Sequence, residues 1–222
     1  MREYPDNAFD LAVVDPPYGG GGADTCLHGA SDGRFGNNGS WFEKYRQIKV
    51  QRTGAGWNHY GDKISTWDIA PSKEYFAELS RISKEQIIWG GNYFDLPPTR
   101  CFLVWRKLNI PLEGFSMPPV EYAWTSYNDN AKMFEAVSNA TTEKRFHPTQ
   151  KPVALYAWIF KNFAKPGMKI LDTHLGSGSS RIAAWDAGLD FVGYEIDKTY
   201  FDLQEERFQA HIAQGNLFLM GN

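Results

Sequence analysis

The stretch from Met168 to Glu195 limits the possible folds more than any other part of the chain. Met168 to Asp172 is a short apolar strand, THLGSGSS a glycine-rich turn, Arg181 to Ala187 a helix, and Leu189 to Glu195 a second strand that ends on an acid. Strand, glycine turn, helix and acid-terminated strand make a nucleotide-binding βαβ half. Such a unit requires a mostly parallel sheet with helices on both faces. A last helix, from about Lys198 to His211, follows.

The rest of the chain extends this α/β sheet. Phe9 to Asp15 (FDLAVVD) is an apolar run stopped by a carboxylate and a Pro-Pro pair, which suits a buried strand ending abruptly at the functional edge. Gly19 to about Ser65 is rich in Gly, Asn, Ser and charge and reads as an extended insertion. Pro71 to Lys84 carries Tyr75, Phe76, Leu79 and Ile82 at helical spacing behind Ser72, and leads directly into a strand, Gln86 to Trp89. Cys101 to Trp105, Val120 to Ser126 and, more weakly, Phe134 to Val137 read as further strands, so the middle of the chain is expected to alternate in the βα manner. Beyond HPTQKP, Leu155, Ile159, Phe160 and Phe163 repeat at helical spacing until Pro166 and Gly167 end the helix. With 222 residues, 42% of them apolar, there is room for one sizeable core. Residues 1–222 therefore read as a single domain, with 20–65 a loop-rich insertion.

Charge and cysteine content narrow the function classes. A net charge of −3 gives no molecule-wide basic field, so any contact with phosphates must come from a local patch. Lys44, Arg46, Lys49 and Arg52 are interleaved with Trp41, Phe42 and Tyr45, and Lys144 and Arg145 form a shorter patch. Cys26 and Cys101 lie far apart, the five histidines are scattered, and no metal site is expected. A cytoplasmic setting is expected: MREYPDNAFD has no leader pattern, and no window reaches membrane-spanning length.

Two constellations carry chemistry. Gly176 and Gly178 follow Asp172 between strand and helix, where glycine lets the backbone approach an adenosine-bearing ligand, although a tight strand-to-helix turn needs glycine in any case. Glu195 ends the next strand 23 positions after Asp172, which suits a carboxylate accepting two ribose hydroxyls at about 1.5–3 kcal/mol per bond. Asp197 reads instead as a cap for the last helix. The tetrapeptide Asp15-Pro16-Pro17-Tyr18 is more specific. Asp15 and the Pro16 carbonyl can accept the two hydrogens of an amine, the prolines add no competing N–H, and Tyr18 offers a ring on which a base can stack, worth about 1–3 kcal/mol. An amine held in this way has its lone pair drawn out of conjugation and toward an electrophile.

DPPYG at Asp15, HPTQKP at His147 to Pro152 and LDTHLGSGSS at Leu171 to Ser180 stand in the order found in the β group of DNA amino-methyltransferases, and the chain resembles that family over nearly its whole length. IIWGGNYF at Ile87 to Phe94, VWRK at Val104 to Lys107 and EYAWTS at Glu121 to Ser126 are similar to segments common in phage and prophage members. The resemblance implies a Rossmann-like fold dependent on S-adenosylmethionine, with the catalytic segment ahead of the cofactor segment. It implies that Asp15, Pro16, Pro17 and Tyr18 hold a base flipped out of double-stranded DNA. Asp172, His174, Gly176 and Gly178 would line the cofactor's methionine end, and Glu195 would take its ribose. Lys151 would sit near the cofactor carboxylate or at the closing edge of the pocket, with His147 and Thr149 shaping that turn. Asp rather than Ser at position 15 favours the N6 amine of adenine over the N4 amine of cytosine, methylated directly and without a covalent enzyme intermediate.

The chain departs from the family pattern twice. Thr173 and His174 stand where members usually carry a Phe or Tyr, which puts a titratable ring against the methionine chain. Only nine residues precede Asp10, short of the upstream strand and acid that members contribute to the adenine pocket, which reads as a truncation that weakens the cofactor site. A cofactor-impaired DNA-binding protein therefore remains an alternative, and an RNA base or a protein glutamine suits the same tetrapeptide. Sequence recognition is expected in residues 20–65 and in Asn109 to Pro118. The lack of a separate recognition domain points to low specificity or to help from a second subunit, as in a homodimer.

Overall fold

A computed structural model describes residues 1–18, 69–113, 118–138 and 145–220. The run FDLAVV forms β1 (Phe9–Val14), and its apolar side chains are buried on both faces, as in a central strand covered by helices. α1 (Lys73–Ile82) starts behind Ser72 and sends Leu79 and Ile82 into the core. The helix, expected through Lys84, stops at Ile82 because Ser83 turns extended and bonds back: its N–H and its hydroxyl both donate to Leu79 O. Ser83 is already the first residue of β2 (Ser83–Trp89).

β3 (Phe102–Lys107), β4 (Val120–Thr125) and β5 (Lys132–Ala136) follow. Among the described residues no α-helix separates β2 from β5, so the expected βα alternation in the middle of the chain does not occur. The reason is strand direction: β4 runs antiparallel to both β2 and β3, and a reversal of direction needs no crossover helix. Alternation resumes with α2 (Val153–Phe163), β6 (Lys169–Asp172), α3 (Ser179–Asp186), β7 (Asp190–Gly193) and α4 (Lys198–Met220), the last running beyond His211.

The seven strands lie in the order β5-β3-β4-β2-β1-β6-β7. β1 pairs in parallel with β2 and β6, β3 with β5, and β6 with β7, so the sheet is mixed and mostly parallel. α1 covers Phe9, Ala12, Val14, Ile88 and Leu171 on one face, while α2 and α3 cover Leu11, Val13, Ile87, Leu103 and Ile170 on the other. The result is the α/β arrangement with helices on both faces that the sequence leads one to expect.

The chain forms two units, residues 1–16 with 71–222, and residues 17–70. Every element named above belongs to the first. Of the second, residues 17, 18, 69 and 70 are described, and the insertion read at 20–65, with Cys26 and the basic patch from Lys44 to Arg52, lies outside the described residues, as does Lys144.

Strand order reverses at β1, which has β2 on one side and β6 on the other. In open α/β sheets a crevice opens beyond the carboxyl ends of the strands at such a reversal. Asp15 follows β1 there, and the glycine turn follows β6.

Candidate active site

Strand alternation decides which side chains lie on the α2 side of the sheet. Leu11 and Val13 of β1, Ile87 and Trp89 of β2, Leu103 and Trp105 of β3 and Ala123 of β4 face that core. Asp15 two residues after Val13, Lys107 two after Trp105 and, on antiparallel β4, Glu121 two before Ala123 are carried onto the same side at the sheet's edge.

Lys151, the fifth residue of HPTQKP, stands just ahead of α2, is 5% exposed and reaches into this group. Its Nζ donates to Asp15 Oδ2, lies 3.1 Å from Glu121 Oε2, and sits 5.4 Å from the centre of the Trp89 ring. The other oxygen of Glu121 is 2.6 Å from Nζ of buried Lys107. Asp15, Lys151, Glu121 and Lys107 thus alternate in sign, which offsets a desolvation cost of several kcal/mol that a lone ion would meet there. Burial by itself would lower the Lys151 pKa, but the Asp15 and Glu121 carboxylates overcome it and hold the ammonium above the ordinary lysine value. Burial works to raise Glu121, and Lys151 and Lys107 together bring it below the usual carboxylate range. Expected near the cofactor carboxylate or at the closing edge of the pocket, Lys151 has its amine on Asp15 and Glu121. Pro16 is buried behind Asp15. Pro17 and Tyr18 fall in the second unit.

On the other side of the strand reversal, Asp172 ends β6 and is buried. Its Oδ2 accepts the Ser180 hydroxyl at 2.6 Å and its Oδ1 the His174 N–H at 3.0 Å, so it ties the turn to the start of α3. Burial raises its pKa to about 7 against those two bonds, and the charges of Asp15 and Glu195 add to the rise. Gly176 and Gly178 have φ of 52° and 72°. A Cβ on Gly176 would fall 3.3 Å from the His147 ring, and one on Gly178 3.0 Å from the Gln204 side chain. Backbone conformation and these two neighbours therefore already account for both glycines.

Glu195 follows β7. Its Oε2 accepts Gly176 N–H at 2.8 Å and its Oε1 accepts Asp197 N–H at 2.9 Å, which fixes the carboxylate against the turn. Each oxygen keeps a second lone pair suited to a hydroxyl. Asp197 caps α4 as expected, accepting N–H groups of Thr199 and Tyr200 at 2.7 and 3.2 Å. Ile196, directly after Glu195, is 94% exposed, an apolar surface at the end of β7.

The two histidines are set into packing. His174 lies edge-on to Tyr75, with ring centres 5.5 Å apart, and its Nδ1 is 3.0 Å from Thr173 Oγ1, which meets the Tyr75 hydroxyl at 2.6 Å. Burial lowers its pKa to about 4, so at neutral pH it is an uncharged ring. His147 packs on Tyr200 at 4.4 Å between ring centres, and its Nδ1 accepts Thr149 N–H, which shapes the turn as expected. Burial first, then the charges of Arg145 and Lys151, lower its pKa to about 3. The HPTQKP segment is fastened at its other end by the Ser179 hydroxyl, which donates to Lys151 O at 2.7 Å.

These residues fit a nucleoside-bearing cofactor: a fixed carboxylate at the end of β7, an exposed apolar side chain beside it, and a turn at the mouth of α3. Neither Glu121, named in the sequence only as the first residue of EYAWTS, nor Ile196 is among the expected site residues. An apolar residue directly after the acid is the signal that marks Ile196; Glu121 has none, because its neighbours depend on the register of β4. Among the described residues no group of three or more His, Cys, Asp or Glu is placed to hold a metal ion, and no helix is long and apolar enough to cross a membrane.

Comparison with known proteins agrees with this layout. A family model described as DNA methylase, of the N6/N4 type, matches residues 9–206. The putative methylase YubD of Escherichia coli (strain K12) is 25% identical over 228 residues, covering 95% of this chain and 86% of its own. The type II methyltransferase M2.MboI of Moraxella bovis is 22% identical over 242 residues, covering 94% and 83%. The solved structure of PvuII DNA methyltransferase, described as cytosine-N4-specific, superposes with a TM-score of 0.54 at 10% identity, covering 95% of this chain and 86% of that one, a likeness of fold. The family match takes in the β1 edge, HPTQKP, the glycine turn and the start of α4, and the chain therefore belongs to the N6/N4 DNA methylases, whose cofactor is S-adenosylmethionine.

Proposed function

We propose that the chain methylates the N6 amine of adenine in double-stranded DNA. The observation that carries this reading is the pairing of β1 with β6: Leu11 lies opposite Ile170 and Ala12 opposite Leu171, so the ends of the two parallel strands, Asp15 and the glycine turn, lie side by side. S-adenosylmethionine supplies an electrophilic methyl. Asp15 and the Pro16 carbonyl accept the amine hydrogens, Pro17 keeps the segment rigid, and Tyr18 stacks on the base, whose extrusion costs a few kcal/mol. The negative charge of Asp15 stabilises the nitrogen as it becomes cationic. Asp172 holds the turn of His174, Gly176 and Gly178 in place, Glu195 takes the ribose hydroxyls, and Ile196 covers the purine. Asp at position 15 supports adenine over cytosine. Lys44, Arg46, Lys49 and Arg52, in the 20–65 insertion, supply phosphate contacts.

The test is transfer of labelled methyl to unmethylated duplex DNA, followed by nucleoside analysis. N6-methyladenine is expected, with a loss of about 100-fold or more in Asp15→Ala. N4-methylcytosine would overturn the adenine assignment, and an Asp15→Ala chain with full activity would overturn the site.

A further inference from the structure

We propose that Lys151 and Glu121 are positioning residues for Asp15, with Glu121 holding part of the lysine's charge so that Asp15 stays anionic toward the acceptor amine. This rests on the reading of Asp15 as the group that holds that amine. A lysine bonded to Asp15 alone would fix the carboxylate but also cancel much of its field, because charge pairs are little screened away from water. That cancellation opposes the reaction: the acceptor nitrogen spends its lone pair on the bond to the incoming methyl, the methyl's former bonding pair stays with sulfur, and the nitrogen is cationic until it sheds a proton to water.

The structure divides the ammonium instead. Lys151 Nζ donates to Asp15 and lies 3.1 Å from Glu121 Oε2, which is out of reach of solvent. Lys107, 2.6 Å from Oε1, keeps Glu121 in place. A single pair would tie the start of α2 to β1 equally well, so the second carboxylate and second lysine point to a task beyond anchoring. The Trp89 ring, 5.4 Å from the ammonium, walls this group.

The experiment compares wild type, Glu121→Gln, Asp15→Asn and the double variant for kcat, KM for unmethylated duplex DNA, and S-adenosylmethionine Kd by calorimetry. Glu121→Gln should lower kcat by about tenfold or more with both binding constants within about twofold. Glu121→Asp, which restores the charge, should recover most of the loss. The double variant should fall no further than Asp15→Asn, because Glu121 acts through Asp15. Unchanged kcat in Glu121→Gln beside a disabled Asp15→Asn overturns the proposal alone, as do multiplied losses in the double variant. Unchanged kcat in Asp15→Asn overturns the underlying reading and the proposal with it. If Glu121→Gln does not fold, Glu121→Met, which also removes the charge at similar size, carries the same comparison with and without Asp15→Asn.

Discussion

His174 illustrates how burial redefines a residue. In the sequence it is a titratable ring where the family resemblance leads one to expect a Phe or Tyr; in the fold, with its pKa near 4 and its edge toward Tyr75, it behaves as an uncharged aromatic ring. A group whose folded pKa is depressed adds stability that is complete above its unfolded value, near 6.5, and is lost as pH falls through the folded value. His174→Phe should therefore show a shallower loss of urea stability between pH 6.5 and 4, by up to about 1.4 kcal/mol per pH unit for one proton. Asp172 acts in the opposite sense. Its raised pKa, about 7, makes its contribution complete below about pH 4 and lost as pH rises through 7, so the two residues partly mask one another in wild type. Glu195 offers a binding readout: Glu195→Gln should weaken S-adenosylmethionine roughly tenfold in titration calorimetry, since charge-assisted bonds become neutral ones. Unchanged affinity would remove Glu195 from the donor side. Asp15, Gly176 and Glu195 could be picked out in the sequence because their neighbours along the chain mark them. Glu121 could not, because its partners come from β3 and from the segment ahead of α2.

Among the elements, α2 does the most to hold the site. It buries Leu155, Tyr156, Ile159, Phe160 and Phe163, and Lys151 stands two residues ahead of its first turn. Ile159, with no exposed surface, has no room to be replaced: Ile159→Ala should cost about 2–5 kcal/mol in urea denaturation. A loss much below this range would mean that α2 repacks without it. α2 and the βαβ run from β6 to β7 were readable because their periodicities are long and bounded by Pro or Gly. In the middle of the chain the strands themselves were legible and their directions were not, so the βα alternation expected there does not occur. Short strands such as Phe102–Lys107 and Val120–Thr125 look alike whether they run parallel or antiparallel, and the pairing of β4 with both β2 and β3 is decided in three dimensions.

For the molecule as a whole, net charge is the governing constraint. At −3, the chain must gather positive charge locally to hold DNA. Neutralising Lys44, Arg46, Lys49 and Arg52 together should flatten the salt dependence of DNA binding, reducing the slope of log K against log salt by roughly 3–4, with S-adenosylmethionine affinity unchanged. A slope equal to that of wild type would place the phosphate contacts elsewhere.

The six residues of HPTQKP touch both halves of the site: His147 fills the space above Gly176, and Lys151 grips Asp15. HPTQKP and the glycine turn therefore form one inheritance unit, joined to β1 through Lys151 and Asp15. A chimera that imports only the run from β6 to β7 from a relative would pair a foreign turn with the resident His147, whereas exchange of residues 145–195 as one block carries the matched surfaces together. Recombination among relatives should tolerate crossovers on either side of that block far better than one within it.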